Sequence, residues 1–481
     1  MKIHEYLRQL MKECGESISG LSQRAGIDRP TLSKILSGQR FPSRQNMERL
    51  LPALKASPAQ RRELLQLFSL SRVGSGRMAQ RQHIYSLLET IYSLQDQPAQ
   101  RLAASPALPP DGGQVQMFQG QQNILMIFES LARSYLAKPQ SQPLMISPNL
   151  GGRWLRLLAA LIHWTPHPAV TLWHLSQLVK QPDKYEDAAV NLRRITTAFP
   201  FLFQEGLHYV LRYFYGNSAG LSPGELFPQY LIFPDCLFAI SEDEKSACLL
   251  RSSELVACCR RQFEHLFRAE SAPFLHQSSL FYYQAILEEN SRLDQEKRPT
   301  VWLHHQPPLV LCLDGGMIDD CLAEDLPDRA AQAQLFKRRL GEVQALPLTC
   351  FFCEEGLRAF LATGRIFEIP SQLYSPLSIP ARRLLLRRLS QLCRSGRLRL
   401  FALKPSALLP SPDIYVNIVQ ETGLLFYQKG REEGGISFCS FPEPTVTEAF
   451  WDFCSYLVES GLTYSQEETA AMLEISEVLE P

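Results

Sequence analysis

The sequence predicts a multi-domain chain in which a small all-α domain of five helices precedes a larger α/β body. Three observations favour this fold class. The chain has 481 residues, which exceeds the roughly 100–200 residues of one domain. The first 70 residues show only helical periodicity, and strand-like and helical patterns alternate from about Val115 onwards. Hydrophobic residues make up 45% of the chain, so a large core can form.

Apolar residues at helical spacing and good capping residues predict the five N-terminal helices. Gly26 is suited to end the second helix, and Asp28 is a good N-cap for the third. Ser57, Pro58 and Gln60 have the order of a capping box at the start of the fifth. The helices are expected at about 2–13, 17–25 and 29–37, after Pro42-Ser43, and from Ser57.

Residues 71–114 are expected to connect this domain to the body. The segment SRVGSGR, at 71–77, is typical of a flexible joint, and a helical pattern covers 78–95. Residues 96–114 contain four prolines without periodicity, which predicts a linker.

The body has the same order of predicted elements in both of its parts, which favours two similar α/β halves at 115–275 and 276–481. Alternation of strands and helices is also common without a repeat, so this inference rests on a faint pattern. The predicted strands lie at 143–147, 169–175, 208–215, 229–241, 413–429 and 435–441, and predicted helices at 121–136, 252–267 and 445–459.

Residues 18–37 have the pattern of two helices that cross at a tight turn. Ser22 is the small residue where the helices would cross, and Gly26 tolerates the positive φ of the turn. The positions that must face inward are all apolar, namely Leu21, Ala25, Ile27, Leu32 and Ile35. The opposite face of the second of these helices therefore points outward.

The charge of the chain is unevenly distributed although its formal net charge is zero. Residues 1–75 contain thirteen Lys and Arg against six Asp and Glu, an excess of about seven positive charges that the remainder balances. No Asp or Glu occurs between Arg29 and Gln45. A basic end on a mildly acidic body suggests that the N-terminal domain alone meets a polyanion.

With these residues, segment 1–70 resembles the Cro/C1-type (XRE family) helix-turn-helix domain, the lambda-repressor-like fold of bacterial and phage regulators. The resemblance implies base contacts from the start of the third helix, by Arg29, Pro30, Thr31, Ser33 and Lys34. It implies contacts to the DNA backbone from Ser17, Ser19, Gln23, Gln39 and Arg40. The sequence departs from the family at Ser22, where Ala is usual, at Leu36, where Glu is frequent, and at Pro52, inside the fourth helix.

The remaining chemistry-bearing patterns favour ordinary structural roles over catalysis. Cys350 and Cys353 have metal-ligand spacing but no accompanying Cys or His pair, so core thiols are favoured over zinc or redox chemistry. The segment LCLDGGMIDD, at 311–320, is expected to end a strand at Asp314 and continue in a solvated loop rather than a Mg²⁺ site. The Arg-rich helix at 380–400 is expected to be an amphipathic core helix, with an anion site as the alternative.

The paired layout of the body is weakly similar to the α/β repeats of the phospholipase D superfamily, whose chemistry needs His-x-Lys in each half. None of the ten His residues is followed two positions later by Lys, so the resemblance implies a non-catalytic body. We expect no catalytic residue, metal or cofactor. The twelve cysteines lack regular spacing, and no apolar run is long enough for a membrane span, which predicts a cytoplasmic protein with reduced thiols.

The sequence as a whole predicts a DNA-binding transcriptional regulator. Its expected partners are double-stranded DNA, a second copy of the chain in a homodimer, and a small-molecule or protein effector sensed by the body. Two alternatives stay open. In the first, the body is an enzyme and the N-terminal domain is its regulatory appendage. In the second, the N-terminal bundle is a protein-interaction module that does not bind DNA.

Overall fold

The computed structural model describes most of the chain, which divides into two compact units, residues 1–82 and 83–481. We treat each unit by itself. The residues described are 3–13, 15–40, 42, 44–54, 56–57, 60, 64, 75–93, 113–137, 142–165, 170–180, 185–202, 204, 207–216, 226–273, 275–278, 297–369, 371–405, 407, 412–429 and 436–478.

The first unit is helical and has one apolar core. Its helices include α1 (Ile3–Glu13), α2 (Ile18–Ala25), α3 (Arg29–Ser37) and α4 (Arg44–Ala53). The five positions that the sequence predicts to face inward are all buried, with exposed fractions of 0–5%. The core also takes in the apolar stripe of α1 and three residues from α4 and its C-terminal end. The periodicity of apolar residues therefore predicted this core correctly.

The predicted start of a fifth helix has capping-box geometry. The backbone N–H of Ser57 donates to Gln60 Oε1 at 2.8 Å, and the N–H of Gln60 donates to Ser57 Oγ at 3.2 Å. Most of the following residues lie outside the described residues, so the count of five helices stays a prediction. Pro52 lies in the last turn of α4, as expected from the sequence.

Helix α5 (Ser75–Ser93) begins three residues earlier than the sequence predicts. Ser75, Gly76 and Arg77 are the last three residues of the expected flexible joint at 71–77. They are helical and lead directly into Met78. Residues 71–74 and the predicted linker at 96–112 lie outside the described residues.

The second unit contains two β-sheets. Among the described residues the first sheet has the strand order β1-β7-β6-β5-β2-β3-β4-β8. Its strands are β1 (Val115–Gln119), β2 (Leu144–Ile146), β3 (Val170–Val179), β4 (Leu207–Gly216), β5 (Gln229–Ile232), β6 (Leu237–Ile240), β7 (Ser246–Leu250) and β8 (Ala272–Pro273). Its helices are α6 (Gln121–Leu136), α7 (Gly152–His163), α8 (Tyr185–Leu202) and α9 (Ser253–His265), which runs into a π-helical turn (Leu266–Glu270).

The second sheet has the order β9-β15-β14-β13-β10-β11-β12 over the part of the chain that is described. Its strands are β9 (Leu275–Ser278), β10 (Thr300–Leu303), β11 (Leu348–Cys353), β12 (Arg399–Leu403), β13 (Ile414–Val419), β14 (Gly423–Lys429) and β15 (Ile436–Phe441). Its helices are α10 (Gly315–Cys321), α11 (Arg329–Gln344), α12 (Glu354–Thr363), α13 (Ile379–Arg394), α14 (Pro444–Glu459) and α15 (Gln466–Val478).

The two sheets share one strand order and one pattern of strand directions. In the first sheet β2, β3 and β4 are parallel, and β5, β6, β7 and β1 continue from β2 as antiparallel neighbours. In the second sheet β10, β11 and β12 are parallel, and β13, β14, β15 and β9 continue from β10 in the same way. Strand β8 at the edge of the first sheet is the addition to this shared pattern.

The apolar cores of the body lie on both faces of each sheet. The largest core joins residues of both sheets and of α6, α7, α8 and α14. A second core lies between the second sheet and α10 to α13 and α15. Two expectations for 311–320 were wrong: residues 309–312 form a 3₁₀ turn and not a strand that ends at Asp314, and Gly315–Cys321 form helix α10 and not a solvated loop. Pro307 and Pro308 precede this turn, and proline cannot donate the hydrogen bonds of a sheet ladder.

A buried polar network fastens α14 to the first half of the body. The side-chain carbonyl of Asn191 accepts from Val179 N at 2.8 Å, and its amide donates to Val179 O at 3.0 Å and to Thr445 Oγ1 at 3.1 Å. The carboxylate of Glu443 accepts from the Thr445 hydroxyl at 2.7 Å and from the Tyr215 hydroxyl at 3.0 Å. Asn191 and Glu443 are both fully buried, so these bonds replace the water that the groups lose.

We predict that Asn191→Ala destabilises the body by about 2–4 kcal/mol, because it leaves the buried N–H and C=O of Val179 without partners. Urea denaturation of the full chain measures this change. Asn123→Ala is the matched control, since Asn123 makes one hydrogen bond to Gln119 O on the surface. Equal, small losses for both variants would contradict the role given to Asn191.

Candidate nucleic-acid interface

The turn between α2 and α3 is built around Gly26 and Ser22. Gly26 has φ 60° and ψ 31°, the left-handed conformation that glycine adopts without steric strain. Its N–H donates to Ser22 O, and the N–H of Ile27 also donates to Ser22 O, at 3.2 Å. The Ser22 hydroxyl donates to Ile27 O at 2.6 Å. Serine at the crossing position, one of the departures from the family, thus supplies a hydrogen bond across the turn that alanine cannot make.

Helix α3 begins with a side-chain cap. The Asp28 carboxylate accepts from Thr31 N at 2.8 Å, and this backbone hydrogen bond is the main reason that the pKa of Asp28 lies below its ordinary value. Pro30 stands in the first turn, where a backbone N–H has no partner within the helix. The Asp28 cap and Pro30 therefore define the first turn of α3. The direction in which the helix starts is set by these neighbouring residues.

Helix α3 buries one side and exposes the other. Leu32, Ile35 and Leu36 are the buried residues of the helix. Leu36 stands where the resembled family often has Glu, and here it joins the apolar core. Of the residues expected to read bases, Arg29, Pro30, Ser33 and Lys34 are exposed and Thr31 is half-buried. The structure thus gathers all five along one helix end, and their contacts to bases stay a prediction.

Three basic side chains on this surface have no ion pair with any residue that the structure describes: Arg29, Lys34 and Arg40. Two other arginines of the unit are engaged within it. Arg24 pairs with Glu16 at 2.5 Å, and Arg49 donates to Gly26 O at 3.3 Å. Arg40 lies close enough to the Asp28 carboxylate to contribute to its lowered pKa, and all three basic side chains are exposed to solvent. A phosphate backbone attracts basic side chains that are exposed and not held in an ion pair.

The residues expected to position the DNA backbone flank α3 on two sides. Ser17, Ser19 and Gln23 are exposed on α2 and its cap, and Gln39 and Arg40 are exposed in the exit loop. Ser17 Oγ accepts from Gly20 N at 3.1 Å and so caps α2, which leaves its hydroxyl hydrogen available to an acceptor such as a phosphate oxygen. We name the exposed surface formed by these five residues and the five reading residues the α3 surface.

The exit loop follows a second glycine with a positive φ. Gly38 has φ 79° and ends α3, and a side-chain carbon at this position would come within 3.0 Å of the His4 ring. The backbone N–H of Arg40 donates to Lys34 O at 3.0 Å, which folds the loop back onto the helix end. The backbone of Arg40 is thereby held against the helix that carries Lys34.

The cysteine pair that has metal-ligand spacing lies in the core. Cys350 and Cys353 are buried on β11, and burial raises the pKa of Cys353 to about 12. Cys353 Sγ lies 3.0 Å from His305 Nδ1, yet a thiol with this pKa is a poor nucleophile at neutral pH. No group of three or more His, Cys, Asp or Glu residues that could hold a metal ion occurs in the described part of the chain.

Three arginines of the basic helix α13 bind carbonyl and carboxylate groups elsewhere in the chain. Arg382 donates to the carbonyls of Leu361 and Leu377, at 2.6 and 2.8 Å. Arg388 forms an ion pair of 2.8 Å with Asp314, the residue that caps α10, and Arg394 forms one of 2.7 Å with Glu474 on α15. Asp314 is therefore engaged in capping and ion pairing, and these three arginines stabilise the fold.

A cavity in the second half of the body brings together residues that the sequence analysis did not single out. It lies between α10, α11 and the second sheet and has a volume of about 90 Å³. Its polar lining includes His304, Arg339, Glu368 and Asn417. The sequence carries one sign of this cavity, the residues Tyr415 and Asn417 in the otherwise apolar strand IYVNIV. An alternation of this kind also fits an ordinary sheet face.

Residues 5–64 match the family model described as a helix-turn-helix domain. The chain thus carries a helix-turn-helix segment, which is about an eighth of its length. No curated protein matches the chain. No helix in the described ranges has the length and apolar character needed to cross a membrane. The described cysteines are free thiols, and all except Cys258 and Cys259 are buried.

Solved structures that match the chain include two with low identity. One is described as TrmBL2, an archaeal chromatin protein that shows a novel mode of DNA binding; it is 16% identical, covers 45% of this chain and 72% of its own, and has a TM-score of 0.22. The other is the phosphatidylserine synthase of Haemophilus influenzae Rd KW20, 10% identical, with 80% of this chain and 93% of its own covered and a TM-score of 0.24. At these TM-scores neither likeness carries an argument about the fold or function.

We predict that Asp28→Ala speeds hydrogen exchange of the Thr31 amide and lowers the stability of α3, because the N-cap is lost. Asp28→Asn is the matched variant, since asparagine caps about as well as aspartate. The pKa of Asp28 is lower in the folded chain, so its contribution is complete at neutral pH. It is lost as the pH falls through the ordinary aspartate pKa of about 3.9 towards the lower folded value. Unchanged exchange in Asp28→Ala would show that the cap does not hold the helix.

Proposed function

We propose that this protein is a sequence-specific, DNA-binding transcriptional regulator of the Cro/C1 (XRE) type, whose body senses an effector and supports self-association. The observation that carries the proposal is the α3 surface. It combines exposed short polar side chains with basic side chains that have no ion pair among the described residues. Its face from Arg29 to Arg40 contains no carboxylate, and this composition suits a duplex groove.

The proposed docking places the N-terminal end of α3 in the major groove. Arg29 is the residue suited to guanine, whose O6 and N7 accept two hydrogen bonds from a guanidinium, and Thr31 is suited to the methyl group of thymine. Pro30 lacks an N–H, so it contributes shape and not a backbone hydrogen bond. Ser17, Ser19, Gln23, Gln39 and Arg40 would then lie on either side of the groove, where the phosphates are.

A single domain of this size buries too little surface for specific binding against the competing sites of a genome. We therefore propose that the protein binds as a homodimer to a two-fold operator, with half-sites one helical turn or a multiple of it apart. Helix α5 and the body are the candidate dimer surfaces. A change in the spacing of the two DNA-binding domains would then couple the effector to DNA affinity.

The body is proposed to consist of two copies of one α/β unit. The shared strand order and directions of its two sheets support this, because seven strands in the same connectivity are a specific pattern. The chain lacks His-x-Lys in both halves, and the buried Cys353 has the raised pKa of an inert thiol. These features favour a sensing or assembly role for the body over catalysis.

We predict that the double variant Arg29→Ala, Lys34→Ala loses about 1–3 kcal/mol of DNA affinity for each base contact removed, with folding unchanged. Fluorescence anisotropy on a selected operator, at several salt concentrations, measures the loss. Lys12→Ala is the matched control, because Lys12 is exposed on α1, outside the α3 surface. Equal DNA affinity for the double variant and the unmodified chain would favour the alternative that the bundle contacts proteins and not DNA.

We predict that light scattering gives twice the mass of one chain, both free and on operator DNA. The physical reason is that two half-sites must be held at a fixed spacing for specific binding. If light scattering gives the mass of one chain both with and without DNA, the proposed homodimer is wrong. The proposed DNA contact is then tested separately by the Arg29→Ala, Lys34→Ala variant.

A further inference from the structure

The cavity of the second half lies against one face of the second sheet. Trp302 on β10 lies directly across from Asn417 on β13, and Tyr415 on β13 lies across from Tyr427 on β14. The rings of Tyr415 and Tyr427 stack with centroids 4.6 Å apart, and Trp302 stacks on His304 at 5.0 Å. All five of these side chains line the cavity. One wall of the cavity is therefore formed by stacked rings together with the Asn417 amide.

Two hydrogen-bond donors of this wall have no partner among the residues that the structure describes. Asn417 uses its Oδ1, which lies 2.8 Å from His304 Nε2, and its amide nitrogen makes no hydrogen bond with a described residue. The same holds for the indole nitrogen of Trp302. Both nitrogens reach accessible space, and for side chains that are only 9% and 6% exposed this space is the cavity. Buried donors without a partner are costly, so these two N–H groups point to an acceptor that enters the cavity.

The two donors are close enough to bind the same atom of a ligand. Residues directly opposite each other on antiparallel strands have Cβ atoms about 4.5–5.5 Å apart. The Trp302 indole and the Asn417 amide can therefore donate to one oxygen atom. A carbonyl oxygen suits this pair, because it has two lone pairs and no proton that would need a further acceptor. The donor pair thus favours a ligand with a carbonyl group.

The charged groups of the lining already have partners within the chain. Glu368 Oε1 lies 3.5 Å from His304 Nδ1, and Arg339 forms an ion pair of 3.4 Å with Glu342. The remaining wall is mainly aromatic and aliphatic. A charged ligand would therefore bring a charge without a counterion into a largely apolar space, which is unfavourable. The lining thus favours an uncharged ligand.

The volume of the cavity sets the size of the ligand. The cavity measures about 90 Å³, and a water molecule needs about 10–15 Å³ of such space. A ligand of roughly six to eight non-hydrogen atoms, the size of one ring, fits this volume. Aromatic side chains prefer offset-stacked and edge-to-face contacts with other rings, so a flat ring suits the wall of Trp302 and Tyr415.

From these features we infer that the cavity binds a small, flat, uncharged one-ring molecule that carries a carbonyl oxygen, as pyridones and pyranones do. Its oxygen accepts from Trp302 Nε1 and Asn417 Nδ2, and its ring packs on Tyr415. This inference rests on the proposed function in one respect, in that it names the effector class of the body. The binding is measured without DNA, so its failure and a failure to bind DNA are separate results.

Isothermal titration calorimetry on the full chain tests the inference, with 2-pyridone and 4-pyranone as probes. At least one of them should bind. Benzoate and benzylammonium are one-ring molecules with a negative and a positive charge. Each should bind at least about tenfold more weakly than the better carbonyl probe, because its charge finds no counterion in the lining. If neither carbonyl probe binds, or if a charged probe binds equally or more tightly, the inference is overturned.

Two variants test the donor pair. Asn417→Leu and Trp302→Phe each remove an N–H donor and keep an apolar side chain, and each should weaken the carbonyl probe about tenfold. Toluene has the size of the probes and no acceptor, so neither variant should weaken its binding. Asn123→Leu on the surface of α6 is the matched control and should leave the affinity for the carbonyl probe unchanged. Equal losses for toluene and the carbonyl probe, or no loss for either, would refute the donor pair.

A third variant keeps the test decisive if one of the first two fails to fold. Leu340→Trp places a larger side chain at a lining position, so it fills the cavity and should abolish binding of the carbonyl probe. Circular dichroism checks the fold of each variant. Unchanged binding to a folded Leu340→Trp chain would place the probe elsewhere and refute this site.

Discussion

The turn at Gly26 is the constraint on which the proposed DNA contact depends. A left-handed backbone at this residue, together with the hydrogen bonds that join Ser22 to residues 26 and 27, fixes the angle at which α3 leaves α2. Because Leu32 and Ile35 are then buried in the core, the opposite side of α3 faces solvent. The basic and hydroxyl side chains on that side owe their accessibility to this geometry.

The two sheets of the body share one strand order and differ locally. Both sheets have the same order and directions, and both use apolar residues to receive their crossover helices. Around β10, β13 and β14 the buried side chains of His304 and Asn417 lie with aromatic rings at a cavity, and in the first sheet the buried side chains of His174 and Tyr209 contact each other at 2.6 Å. The cavity of the second sheet is therefore lined by both polar and aromatic side chains.

The sequence predicted those parts of the fold that depend on local patterns. The inward residues of α1 to α3, the cap at Asp28 and the box at Ser57 and Gln60 follow from helical period and capping chemistry, which act over a few residues. The apolar run that ends at Asp314 was misread as a strand, because a short apolar run fits a strand and a buried 3₁₀ turn equally well. The cavity was not predictable, since the strand order brings Trp302 and Tyr415 together and the tertiary packing of α11 and of the segment after α12 adds Arg339 and Glu368.

Photo-crosslinking from the α3 surface tests the central claim most directly. A benzophenone side chain placed at Ser33, which is exposed in the middle of α3, should crosslink to bases of a bound operator in the full chain. The same group at Lys12 on α1 should give a far weaker crosslink. Equal yields from the two positions, or crosslinks from position 33 to protein alone, would contradict the account that α3 lies in a duplex groove.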